Sequence, residues 1–294
     1  MIACLGLPLR PRRVQGPLQR VRFLMTVALL CAATLASAQP RTADPAIGHW
    51  EADAVRRVWT YLNERDCAGA VKELNGGLSN KYAVVMVMAG AMYEDGLCLK
   101  KTPERAITMF ERAYAAGRPL QAGGRLTALY AAPGPAQDKA AALWWAKRSG
   151  QTVTEFCGGG ALALEDAEAF VKVLAALPPG LVDACTYVAG VVGMIHGDTE
   201  FPSRAASFGM RGAVQLVFHP AVPRFEVKGT DIGTIELPGL VNGDALRDGR
   251  VTVKNEFVQY MEEMTQRALR RFPKPETISP TWKTTLDYSF HYQR

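Results

Sequence analysis

Four cysteines, four histidines and a few adjacent carboxylates are the residues of this chain whose types could carry chemistry. Cys67, Cys98, Cys157 and Cys185 stand in the body of the sequence, after a leader that holds Cys4 and Cys31. An even number of cysteines in an exported chain reads as two disulfides, because thiols are oxidised outside the cytoplasm. Four cysteines permit three connectivities and spacing does not choose among them. The favoured pairing, Cys67 with Cys98 and Cys157 with Cys185, closes two loops of about 30 residues, each worth about 3–4 kcal/mol in chain-entropy terms. No Cys-x-x-Cys occurs, and His49, His196, His219 and His291 show no ligand spacing near a cysteine, so no metal is expected.

Nucleophile signatures are missing as well: there is no Gly-x-Ser-x-Gly, no His-Glu-x-x-His and no Ser-x-x-Lys. His196-Gly197-Asp198 has the types of a general-base pair, but reads as the polar end of a helix. Glu94-Asp95 and Glu262-Glu263 are adjacent in sequence, so their side chains diverge on a helix and are expected in solvent. Gly158-Gly159-Gly160 lacks the Lys-Ser/Thr that a phosphate loop needs and reads as a turn. Arg267, Arg270 and Arg271 form a basic helix face. Trp144-Trp145 is a candidate partner contact, weighed against simple packing between helices. No cofactor is expected.

Charge narrows the partner class. The chain of 294 residues has a net charge of +6, but Arg10, Arg12, Arg13, Arg20 and Arg22 lie in residues 1–38 without any Lys, Asp or Glu, and the remainder is within one charge of neutrality. A nucleic-acid partner is therefore not expected. The same five arginines precede an apolar run from Phe23 to Leu35 and the small-residue triplet Ala36-Ser37-Ala38. That order is a secretory signal peptide, with cleavage expected after Ala38. No other segment is expected to span a bilayer. The mature product is expected outside the cytoplasm, in the periplasm of a Gram-negative bacterium.

Helical periodicity runs from Pro45 to about Gly197, with helices expected over 49–62, 67–74, 82–93, 103–116, 120–131, 137–149, 163–177 and 180–195. Thr102 and Pro103 read as the cap and first residue of one helix, and Gly117 as its stop. Two helical pairs are self-similar. Ala113 and Gly117 recur as Ala146 and Gly150, and Ala89 to Tyr93 recurs as Leu126 to Tyr130. Hairpins of this kind cannot bury their apolar faces alone and stack into arrays.

The stretch Ala89-Gly90-Ala91-Met92-Tyr93-Glu94-Asp95-Gly96-Leu97-Cys98, followed by Ala106, Phe110, Ala113 and Gly117, resembles the Sel-one-like (SLR) repeats, relatives of the tetratricopeptide repeats. Cys98 stands where that pattern has its second loop glycine, as in disulfide-bearing exported members. A second, degenerate copy keeps Tyr130, Ala146 and Gly150. The resemblance implies a right-handed α/α solenoid over 39–200, whose concave face binds proteins and which has no catalysis of its own. Exported cysteine-bearing relatives are associated with β-lactam binding, so a cell-wall-acting or β-lactam-binding envelope enzyme is the alternative.

After Thr199 the period changes. Strands are expected at 213–219, 223–229, 233–238 and 251–254, a helix over 256–271 that buries Phe257, Tyr260, Met261, Met264 and Leu269, and a closing strand from Trp282. With Arg271-Phe272-Pro273-Lys274-Pro275, this order resembles the C-terminal domain of TonB and TolA proteins. The resemblance implies a small α+β domain over 201–294 that meets envelope proteins by its sheet edge, with Tyr288 and Phe290 of the last strand as candidate contacts. The expectation for the whole chain is an adaptor or regulator of an envelope protein complex.

Overall fold

A computed structural model describes residues 47–151, 157, 166–199, 212–232 and 254–290. The expected signal peptide, the Gly158–Gly160 turn and the strand expected at 233–238 lie outside them, as does 251–253 of another expected strand. In chain order the elements are α1 (His49–Asn63), α2 (Cys67–Ser79), α3 (Ala83–Asp95), α4 (Pro103–Ala115), α5 (Pro119–Ala131) and α6 (Lys139–Arg148). There follow α7 (Ala167–Ala175), α8 (Pro179–Asp198), β1 (Gly212–His219), β2 (Arg224–Ile232), α9 (Lys254–Arg271) and β3 (Thr284–Phe290).

The first six helices repeat one local plan three times, where the sequence displays two copies. The backbone N–H of Asp66, Thr102 and Asp138, each just before the second helix of a pair, bonds the carbonyl of Tyr61, Tyr93 and Tyr130 at 2.9 Å. The second helices end alike. Lys81, Gly117 and Gly150 all adopt left-handed backbone, and the next residue's N–H returns to the carbonyls of Gly77, Ala113 and Ala146. Leu74, Phe110 and Leu143 occupy matching buried positions. In the first pair Lys81 stands where the others have glycine, which hides the copy from a search on glycine spacing. Asp66 and Asp138 cap their helices through side-chain bonds to the N–H of Gly69 and Ala141, both at 2.9 Å. Thr102 does not do so: its hydroxyl donates to the Lys100 carbonyl at 2.9 Å, and only its position is that of a cap.

Three apolar clusters run along the chain. One joins α1, α2 and α3 through Val58, Leu74 and Val85; the next joins α3 to α5 through Phe110 and Leu126. The third joins α5, α6, α7 and α8 to the sheet and α9, so the helical and mixed segments share one core. The described residues accordingly form one compact unit. Its centre is α8, which packs along α5 more extensively than any other pair of helices meets. Small residues make that approach close. A Cβ at Gly124 would lie 2.7 Å from the Gly193 carbonyl oxygen, and one at Gly193 would lie 2.8 Å from the Thr127 side chain.

At 20 residues, α8 is also long and apolar enough to cross a membrane, which corrects the expectation that no segment after the leader is. Most of its span is buried inside the fold, as the core helix of a protein is.

The sheet is antiparallel in the order β2-β1-β3. Strict alternation places Val214, Leu216 and Phe218 of β1 and Leu286, Tyr288 and Phe290 of β3 on the buried face. Across it lies α9, burying Phe257, Met261, Met264 and Ala268, while Tyr260 and Leu269 are only partly covered. Phe272 ends α9 by inserting against Gly190 of α8.

Both disulfides form, Cys67–Cys98 and Cys157–Cys185, with Cα atoms 5.0 Å and 5.9 Å apart. The first ties the start of α2 to the loop between α3 and α4. The second fastens residue 157 to α8. Bonds of this kind persist in oxidising compartments.

Candidate groove and its polar floor

Helices α1, α3 and α5 present one face to a common groove of about 160 Å³, lined by Val55, Trp59, Leu62, Met88 and Leu97 and closed at one end by Arg125. The helical period explains the lining. Val55, Trp59 and Leu62 recur at four and three residues, so they share a stripe on α1. The groove is not filled by packing: Trp59 of that stripe is 44% exposed, and Leu97, in the loop after α3, is 46% exposed. Large apolar side chains left in water around a concavity are where a partner gains most by burial.

The Arg125 end is held by a network that the sequence did not disclose. Arg125 Nη2 lies 2.8 Å from Asp198 Oδ1, and Nη1 lies 3.6 Å from Glu94 Oε2. Arg125 Nε donates to the Gly197 carbonyl at 3.3 Å, and Arg271 Nη2 donates to Glu94 Oε1. Four charges from α3, α5, α8 and α9 are thus gathered at one place. Glu94, expected in solvent, is buried, whereas Asp95, Glu262 and Glu263 are exposed as their divergence on a helix requires. Burial holds the Asp198 carboxyl above the ordinary carboxylate range; Arg125 opposes the rise, Glu94 adds to it, and Arg267 and Arg271 also oppose it.

Beside this network His196 Nδ1 and the Tyr288 hydroxyl share a hydrogen bond at 2.9 Å, and Tyr260 donates to the Asp198 carbonyl at 3.2 Å. So His196-Gly197-Asp198 does end a helix, but facing inward. Desolvation lowers the His196 pKa to about 4 and raises that of Tyr288. A neutral imidazole and a neutral phenol joined in the interior hold the end of α8 to β3; neither is placed to act on a substrate.

The sign of the resulting pH dependence follows. The unfolded chain takes up a proton on His196 near its ordinary value of 6.5, the folded chain only near 4, so this site's contribution is present above pH 6.5 and lost on descending to 4. The ring is not wholly shut from water, which reduces the effect, and the expected loss is about 2 kcal/mol. Asp198, with its raised pKa, acts in the opposite sense. Urea unfolding of the parent chain and His196→Gln at pH 7 and pH 4 separates the two. The variant should lose less stability over that interval, and equal losses would show that His196 does not carry the dependence.

The other expected contacts are placed as follows. Tyr288 and Phe290 face the core at 8% and 5% exposure, so β3 offers a partner its backbone and its exposed Thr285, Asp287 and Ser289 rather than those rings. Trp144 meets Phe170 edge-on with centroids 5.2 Å apart, and Trp145 meets Tyr114 at 5.1 Å. The Arg148 guanidinium lies within 5.6 Å of the rings of Tyr114, Trp144 and Trp145. Packing occupies both tryptophans. Trp144→Ala and Trp145→Ala should each cost about 2 kcal/mol, roughly half of what a fully buried ring is worth, and calorimetry that finds either variant as stable as the parent would contradict that reading.

Among the described residues no group of His, Cys, Asp or Glu could hold a metal ion. Gly90 brings α3 against Phe110, since a Cβ there would lie 2.4 Å from that ring, and Ala106, Ala113 and Ala146 are fully buried. These members of the repeat pattern are packing positions. No family model, curated protein or solved structure matches the chain.

Proposed function

We propose that this chain is an exported, non-catalytic protein-binding module, working in the periplasm of a Gram-negative bacterium as an adaptor or regulator of an envelope complex. In this reading the helical pairs are an SLR-type α/α solenoid, the groove of α1, α3 and α5 is its concave face, and the sheet with α9 closes its end. One observation carries the reading: Trp59 and Leu97 line the groove and stay 44% and 46% exposed, while the other exposed large apolar side chains, Trp50, Val171 and Val222 among them, lie outside its lining. Supporting it are two disulfides suited to an oxidising compartment.

The test is photo-crosslinking in intact cells, with a photoreactive residue at position 59 of the full chain, compared with one at Ser289 on the sheet edge. A single protein captured from position 59, and lost in Leu97→Asp, is the expected result. Capture only from position 289 would move the binding surface to the sheet. No protein from either position, together with thermal stabilisation by peptidoglycan fragments, would replace the module with a cell-wall-acting protein.

A further inference from the structure

The two disulfides differ in their access to solvent and in the backbone that carries them. Cys157 and Cys185 are 1% and 0% exposed. Cys67 is exposed and Cys98 only partly covered. Cys98 also holds left-handed backbone, with φ +56°, two residues after Gly96 at +77°. A residue with a Cβ is disfavoured there, and the loop keeps that conformation while the bond to Cys67 restrains it. Between those two residues sits Leu97, on the rim of the groove.

We propose that Cys67–Cys98 is a redox switch: a dithiol reductant opens this bond while Cys157–Cys185 stays closed, and the loop that carries Leu97 then leaves the groove rim. The consequence for the groove rests on the binding reading above; the selective reduction does not. In the first step a reductant thiolate bonds to the sulfur of Cys67, an exposed residue, the disulfide breaks, and Cys98 leaves as a thiolate that takes a proton from water. The reductant's second thiol then attacks the mixed disulfide and expels Cys67. Two electrons and two protons pass from the dithiol to the protein, and the reductant ends as a disulfide.

Release acts on a defined set of hydrogen bonds. The N–H groups of Gly96 and Leu97 both bond the Met92 carbonyl at 3.0 Å, and Thr102 N–H bonds that of Tyr93 at 2.9 Å. With Cys98 free to leave the left-handed region, these three lose the geometry that keeps them.

The experiment titrates the full oxidised chain with dithiothreitol under native conditions, alkylates the free thiols, and reads each cysteine by mass spectrometry beside amide exchange. Cys67 and Cys98 should be alkylated at a dithiothreitol concentration at least tenfold lower than Cys157 and Cys185. In the same samples, exchange should quicken at Gly96, Leu97 and Thr102 while the Gly117–Arg118 turn stays protected. Both bonds opening together, or Cys157–Cys185 first, would overturn the proposal. So would selective opening that leaves the loop protected, or that exposes the whole chain. Because binding at Trp59 is measured on the oxidised protein, failure there leaves this outcome readable by itself.

Discussion

Glu94→Ala should lower stability by about 3 kcal/mol, among the largest losses any single surface-looking position in this protein can give. Glu94 is 7% exposed and faces Arg271 and Arg125 at once. Removing it strands the partly buried Arg271 guanidinium and leaves Arg125 with Asp198 as its remaining carboxylate, and breaking such a group by deleting one member costs about 3–5 kcal/mol. The lower end applies because Arg271 retains 28% of its side-chain surface in solvent. For a chain of this size the midpoint of thermal unfolding should fall by roughly 6–12 °C. A double-mutant cycle gives the sharper measurement. Arg271→Leu in the Glu94→Ala background should restore part of the loss, since the stranded charge is gone. If the two substitutions simply add, the pair does not interact and the fourfold charge network is not what holds α9 to α3.

Gly124→Val is the second large effect, about 3 kcal/mol, with its cause in backbone rather than charge. The atoms that a Cβ at Gly124 would meet at 2.7 Å are the Gly193 carbonyl oxygen and the Gly197 amide nitrogen, and neither can swing aside as a side chain can. Overpacking a core costs about 1–3 kcal/mol, and the upper end is expected where the only relief is to push α5 and α8 apart. Part of the measured loss should also reach the sheet, because α8 lies in the same cluster as Phe218 and Phe257. Denaturant titration followed by helical and aromatic signals would show it: the two should shift together. A variant as stable as the parent would mean that the helices do not cross at this glycine.

Where the physics is local, the order of residues carries the structure. The eight helices described between 49 and 198 each fall on an expected one, though α2 runs five residues further, to Ser79, α8 three further, to Asp198, and Thr102 makes no cap bond. The strands at 213–219 and 223–229 and the closing strand follow from alternation between buried and solvated faces. Cysteine parity in an exported context pointed to two disulfides, and both are present. The disposition of Phe257, Met261 and Met264 on one helical stripe likewise needed nothing beyond spacing.

Other features depend on who meets whom across many residues, and there local pattern fails. Glu94 and Asp95 look alike in sequence; one is buried because Arg125 and Arg271, 31 and 177 residues away, converge on it, and the other is not. Tyr288 and Phe290 read as contacts on an exposed strand, but a helix 18 residues long covers that face and takes the rings inside. The third repeat copy was written in Ala70, Leu74 and Gly77, yet a lysine at the turn erased its usual mark, and only the matching left-handed backbone of Lys81 restores it.

By itself, then, the sequence determined most of the described helices and strands, since their period and turn residues are written within a turn or two of the chain, and cysteine count added the number of disulfides. The tertiary structure alone decided that the helical and mixed segments share one core, that four charges gather around Arg125, and that Trp59 and Leu97 line a groove while keeping nearly half their surface in solvent. Long-range convergence of this sort depends on desolvation and close approach, and neither leaves a periodic trace in the order of residues.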